Sequence, residues 1–165
     1  MQRSMIKQLF NFSETEKTIF GDLVFGKCED LEDDFVFGFD HHISDVKHIY
    51  GKDEGMVIVH DFNMRDHIGR DHPGGIAIDY HHVYIDLFDT VMLAVKRGYR
   101  KIGWYPEWKR PGVHVSGQIY EGDQILLWYG FYLRENNKWV QKNVYSSNHP
   151  KEVFEHLHSM RGVYT

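Results

Sequence analysis

The stretch His72-Pro73-Gly74-Gly75-Ile76-Ala77-Ile78-Asp79 decides how this chain is read. It passes from a Gly/Pro-rich loop, where the backbone can bend to aim an imidazole, into a brief apolar strand that ends on a carboxylate. Gly74 and Gly75 leave space for a close approach of chain to ligand. Further on, Val113-His114-Val115 sets a second imidazole on a strand. Side chains alternate along a strand, so His114 points away from its two valine neighbours. Two imidazoles and one carboxylate, from His72, Asp79 and His114, suit a zinc ion with an open fourth position.

Outward from this stretch, the chain reads as short strands and helices. Met56-Val57-Ile58-Val59 is a buried strand, and residues 61–75, rich in Asp, Asn, Gly and Pro, form a long loop. From 84 to 97, Ile85, Phe88, Met92 and Val95 recur at helical spacing, and Gly98 sits where a C-cap belongs. Residues 101–105 and 112–116 read as strands joined by a loop holding Pro106 and Pro111. Residues 125–133 and 138–145 read as a hairpin around Glu135-Asn136-Asn137. A closing helix starts after Asn148, with Pro150 in its first turn and Val153, Phe154 and Leu157 on its apolar face. Upstream, Leu23-Val24-Phe25 and Phe35-Val36-Phe37 are short extended segments around an acidic loop, and 44–50 is a short helix capped by Ser44. The class expected is α+β, with helices on one side of a mainly antiparallel sheet.

Composition bounds the rest. The 165 residues are expected to form a single domain, 1–165, with a core over about 40–120 and a hairpin-and-helix extension over 121–165. A formal net charge of -5 and no block of like charge argue against nucleic acid as a partner. No apolar run reaches the length of a membrane span. A lone cysteine, Cys28, excludes an intrachain disulfide and any multi-cysteine cluster, and reads as a packed or surface thiol. Residues 1–10 carry Arg3 and Lys7 without the apolar core of a secretory signal. A substrate outside the cytoplasm would then be reached by another route, such as phage- or lysis-associated delivery.

With these residues in view, the chain resembles the zinc D-Ala-D-Ala carboxypeptidase-like murein peptidases, which share a core with the hedgehog signalling domain. Their pattern is Ser-x-His-x-x-Gly-x-Ala-x-Asp, a helix, Gly-x-Tyr-Pro, then Val-His-Val. Here His72, Gly75, Ala77 and Asp79 match in register, Gly103-Trp104-Tyr105-Pro106 matches the second block, and Val113-His114-Val115 the third. The resemblance spans residues 56–117 and implies a hedgehog/DD-peptidase-like fold. It also implies Zn2+ on His72, Asp79 and His114, and hydrolysis of a peptide bond in bacterial cell-wall peptides.

Three positions depart from the pattern. Arg70 stands where serine is usual, and Pro111 where many relatives carry an acidic general base. His60-Asp61-Phe62-Asn63 replaces the Ser-Gly-Tyr-Arg turn whose arginine binds a substrate carboxylate, with Arg65 two positions beyond. Glu107, on the loop leading into His114, is then the candidate proton shuttle. Arg65 and Arg70 are candidates to hold a carboxylate. The alternative is a zinc-retaining, non-catalytic binding or structural module on the same core, favoured by Pro111. Trp104, Tyr105 and Trp108 either line a cleft or pack in the core, and Trp128-Tyr129 and Phe131-Tyr132 read as core. Asp40-His41-His42 reads as loop, His81-His82 as surface with one a possible partner of Asp79, and His156 and His158 offer no pair.

Overall fold

Alternation along each strand sorts the side chains onto two faces, and one face carries the core. Ile78, Tyr80, Ile102, Trp104, Val113, Val115, Leu127 and Tyr129 all pack into a single buried cluster with Leu87, Val91, Val153 and Leu157. The computed structural model describes residues 48–49, 57–61, 76–82, 84–117 and 124–164, with backbone alone for 57–61. Among the described residues the elements are β1 (Val57–Asp61), β2 (Ala77–His82), α1 (Leu87–Arg97), β3 (Lys101–Tyr105), β4 (Gly112–Ser116), β5 (Leu126–Glu135), β6 (Lys138–Tyr145) and α2 (Pro150–Ser159). The strands form one sheet in the order β1-β2-β4-β3-β5-β6. The class is α+β. Of the expected 44–50 helix, only His48 and Ile49 are described, and both are helical.

The sheet is mixed but mainly antiparallel, as expected: among the described residues, four of its five pairings are antiparallel and one is parallel. β3 and β5 run parallel, with Lys101 opposite Leu126 and Trp104 opposite Tyr129. β4 already occupies the other edge of β3. β4 ends beside the start of β3, with Ser116 opposite Lys101, and β5 begins beside that same end on the other edge, with Leu126 opposite Lys101. The hairpin that follows turns on two residues, Asn136 (φ 48°) and Asn137 (φ 63°), and Glu135 belongs to β5. Two successive positive φ angles match a two-residue turn whose twist suits the flanking strands, and asparagine tolerates that region better than most residues.

α1 begins where Asp86 accepts the Asp89 backbone N–H at 2.8 Å. It ends at Gly98, whose φ of 102° lets its N–H reach back to the Ala94 and Val95 carbonyls. The helix buries Leu87, Phe88, Thr90, Val91 and Ala94, whereas Met92, expected on the apolar stripe, is 42% exposed. The second carboxylate oxygen of Asp86 takes the Gly162 N–H at 2.8 Å, so one side chain fixes both the helix start and the segment after α2. α2 carries Pro150 in its first turn and buries Val153 and Leu157. Each side chain of that size contributes about 1.5–3 kcal/mol when fully buried.

β2 is longer than the sequence suggested. It runs six residues, so Asp79 lies in its interior, not at its end. The same extension corrects His81 and His82, expected at the surface: both are buried, at 4% and 0% exposure. β1 pairs with both residues, and the His82 ring packs edge-on against Tyr80 of the core.

His156 of α2 is bound into the core edge. Its ring lies flat on Tyr129, 3.7 Å between centroids, and its Nδ1 accepts the Trp104 Nε1–H at 3.0 Å. Burial lowers its pKa, against the opposing pull of Glu107 and Glu152. The hydrogen bond acts the same way, since a proton on Nδ1 would face a donor. The folded state therefore binds fewer protons here than the unfolded chain. Stability gained from neutral His156 is present above the unfolded value of about 6.5 and is lost as pH falls below it. Melting temperature should drop on acidification from pH 7 to 5, and His156→Gln, which keeps an acceptor for Trp104 but cannot titrate, should flatten that drop. Equal slopes in both proteins would contradict the assignment.

Candidate functional site

The face opposite the helices carries a row of facing residues across the sheet. Asp61 lies opposite Asp79 at the irregular end of the β1 pairing. Asp79 faces His114, His114 faces Gly103, Gly103 faces Trp128, and Trp128 faces Tyr145. Local sequence explains the placement. In β2, Ile78 and Tyr80 turn into the core, which turns Asp79 outward; in β4, Val113 and Val115 do the same for His114.

The central contact of this row joins Asp79 Oδ1 and His114 Nδ1 at 2.8 Å. Both side chains are largely shielded, at 10% and 12% exposure. An ionised carboxylate accepts only, so in this contact Nδ1 of His114 is the donor. An imidazole nitrogen and a carboxylate oxygen are also a donor pair that zinc accepts. Two donors on a tetrahedral zinc stand roughly 3.3 Å apart. A cation in place of the shared proton thus needs the pair to open by only about half an ångström. These two donors are of types that zinc takes, and the third named ligand, His72, lies outside the described residues.

Beside the pair lies an aromatic layer that depends on two strand glycines. The Trp128 indole lies where a Cβ on Gly103 would stand, and the Tyr105 ring where a Cβ on Gly130 would stand. Trp128 Nε1–H donates to the Tyr105 hydroxyl at 2.7 Å, and its indole sits 5.4 Å from the His114 ring. Trp108 stacks on Tyr105 at 4.1 Å with 2° between planes, and its Nε1–H donates to Gln141 at 3.1 Å. Burial pushes the Tyr105 phenol well above its usual value; the Trp128 bond opposes that rise, and Asp79, Tyr145 and Tyr132 add to it. The hydroxyl therefore stays protonated.

Asp79 and His114 are brought together, as the sequence led one to expect. His72, Arg65 and Arg70 lie outside the described residues, as do Cys28 and Asp40-His41-His42. Among the described residues no third His, Cys, Asp or Glu completes a metal cluster. Glu107, the candidate proton shuttle, is exposed, and its carboxylate accepts the Tyr132 backbone N–H at 2.6 Å. That bond satisfies β5 beyond its last described pair with β3. Trp104 is core, whereas Tyr105 and Trp108 belong to the open face.

Sequence reasoning placed Tyr105 beside the site but missed Trp128, which it read as core, as a neighbour of the pair. The signal was present in Trp128-Tyr129-Gly130, where alternation puts Trp128 and Gly130 on the face opposite Tyr129. A glycine inside a strand marks a close approach. His81, two residues along β2, shares the face of Asp79. Among the described residues no helix is long and apolar enough to cross a membrane. No protein-family model, no curated protein and no solved structure matches the chain significantly.

Replacing Gly103 by Ala forces the added methyl into the Trp128 indole. The expected cost is about 1–3 kcal/mol, read as a lower denaturant midpoint. A midpoint shift worth less than about 0.5 kcal/mol, the range of an ordinary surface change, would contradict the packing described.

Proposed function

We propose that this chain is a zinc-dependent hydrolase cleaving a peptide bond in bacterial cell-wall peptides, with His72, Asp79 and His114 as the zinc ligands. The observation that carries the reading is the 2.8 Å approach of Asp79 to His114, two residues far apart in sequence, on the face of the sheet that does not bear the core. The match of three sequence blocks to the murein peptidases supplies the substrate class. Zinc, when bound, acts as a Lewis acid toward the scissile carbonyl and lowers the pKa of water.

The chain's own groups supply the remaining steps. Hydrolysis adds the hydroxyl of water to the carbonyl carbon, and the leaving nitrogen takes a proton as the C–N bond breaks. Glu107 moves that proton, exchanging its bond to the Tyr132 N–H for the reacting water. Arg65 or Arg70 holds a substrate carboxylate through paired N–H donors. The hedgehog/DD-peptidase-like fold belongs to the same proposal, and the α+β class is consistent with it.

A second reading, a zinc-retaining module without catalysis, is favoured by one observation. The Glu107 carboxylate is already engaged at 2.6 Å, and Pro111 supplies no base in its stead.

Elemental analysis paired with a muropeptide digest separates these readings. The wild-type chain should hold zinc and release new amine ends. His72→Ala and His114→Ala should each lose the metal, with hydrolysis down by more than about a hundredfold, beyond what loss of an outer-shell partner costs. Chelation should silence the wild type. Bound zinc with no new amine ends supports the module, and cleavage by metal-free protein overturns both readings.

A further inference from the structure

We propose that the Tyr105 hydroxyl is the hydrogen-bond donor for the carbonyl oxygen of the peptide bond under attack. The proposal rests on the metallopeptidase reading and adds to it a group that the metal and the proton shuttle do not provide. Attack on the carbonyl moves its π electrons onto oxygen, and a donor fixed in advance at that oxygen favours the transition state over the ground state.

The geometry meets the demands on such a donor. The ring is held from one side by the bare backbone of Gly130 and from the other by the parallel Trp108 ring. The oxygen is held by the Trp128 Nε1–H at 2.7 Å. A phenol oxygen that accepts one N–H keeps its own proton in the ring plane on the other side, free to donate. Among the described residues no acceptor takes that proton. The residue is 7% exposed, so the donor is shielded from bulk water. It belongs to the same face as the metal pair: Tyr105 lies two residues along β3 from Gly103, which faces His114. Trp128 links the two, bonded to Tyr105 and packed 5.4 Å from His114.

A purely structural role makes a different prediction. Phenylalanine would fill the slot over Gly130 equally well, and the Trp128 bond alone would account for the oxygen. Two variants distinguish these roles. Tyr105→Phe removes the hydroxyl and the Trp128 bond, whereas Trp128→Phe removes the bond and keeps the hydroxyl. Each is loaded with zinc and titrated with a phosphinate dipeptide, whose tetrahedral oxygens stand where the attacked carbonyl oxygen goes, and kcat and KM are measured on a muropeptide.

Tyr105→Phe should keep its zinc, bind the phosphinate about tenfold more weakly and lose about 10²–10³ in kcat with KM little changed. Trp128→Phe should melt at a temperature as low as Tyr105→Phe yet lose only part of the phosphinate affinity that Tyr105→Phe loses, because the hydroxyl remains and only its hold is gone. If Tyr105→Phe matches the wild type, or if Trp128→Phe falls as far in affinity, the proposal is overturned while the metallopeptidase reading stands. A wild-type chain that takes up no zinc and binds no phosphinate overturns both. A wild type that binds both without turnover leaves the affinity comparison to decide.

Discussion

The Asp79–His114 contact is the constraint on which the functional account depends. Burying a carboxylate costs free energy unless a partner compensates it, and a buried imidazole has the same requirement. Here each supplies the other across neighbouring strands. The contact also ties function to register. A one-residue slip of β4 against β2 would carry His114 to the helix face and bring Val113 or Val115 beside Asp79. The valines that flank His114 prevent this, since their burial in the core fixes which face the imidazole takes.

The two faces of the sheet divide the work. One holds both helices and an apolar cluster that also includes Leu127 of β5 and Val153 and Leu157 of α2, so the C-terminal hairpin and helix complete the same core as the strands that carry the pair. The other face is built from aromatic rings laid flat on glycines, with a hydrogen bond joining Trp128 to Tyr105. That arrangement gives the pair a rigid neighbour. The Tyr105 ring is fixed by the Gly130 backbone on one side and by the stacked Trp108 on the other, which limits how far it can swing.

Much of the fold was legible in the sequence, and for physical reasons. The strands 101–105 and 112–116, the Gly98 cap and the closing helix after Asn148 each carry a strong local signal in alternation, in glycine or in Pro150. The convergence of Asp79 and His114 was legible through spacing and through resemblance. What escaped was set by tertiary context. The parallel pairing of β3 with β5 is a choice of edge that no local pattern encodes. The burial of His81 and His82 follows from the continuation of β2 past Asp79, and a His-His dipeptide reads as polar until its tertiary neighbours are known. The Trp128–Tyr105 bond needed the β3–β5 register, so the glycines that permit it could be noticed beforehand but not paired.

X-ray absorption at the zinc edge of the metal-loaded chain tests the central claim most directly. The account predicts a first shell of nitrogen and oxygen alone at about 2.0–2.2 Å, with the outer scattering of imidazole, part of which disappears in His114→Ala. A sulfur neighbour at about 2.3 Å, or a spectrum unchanged by that substitution, would contradict it.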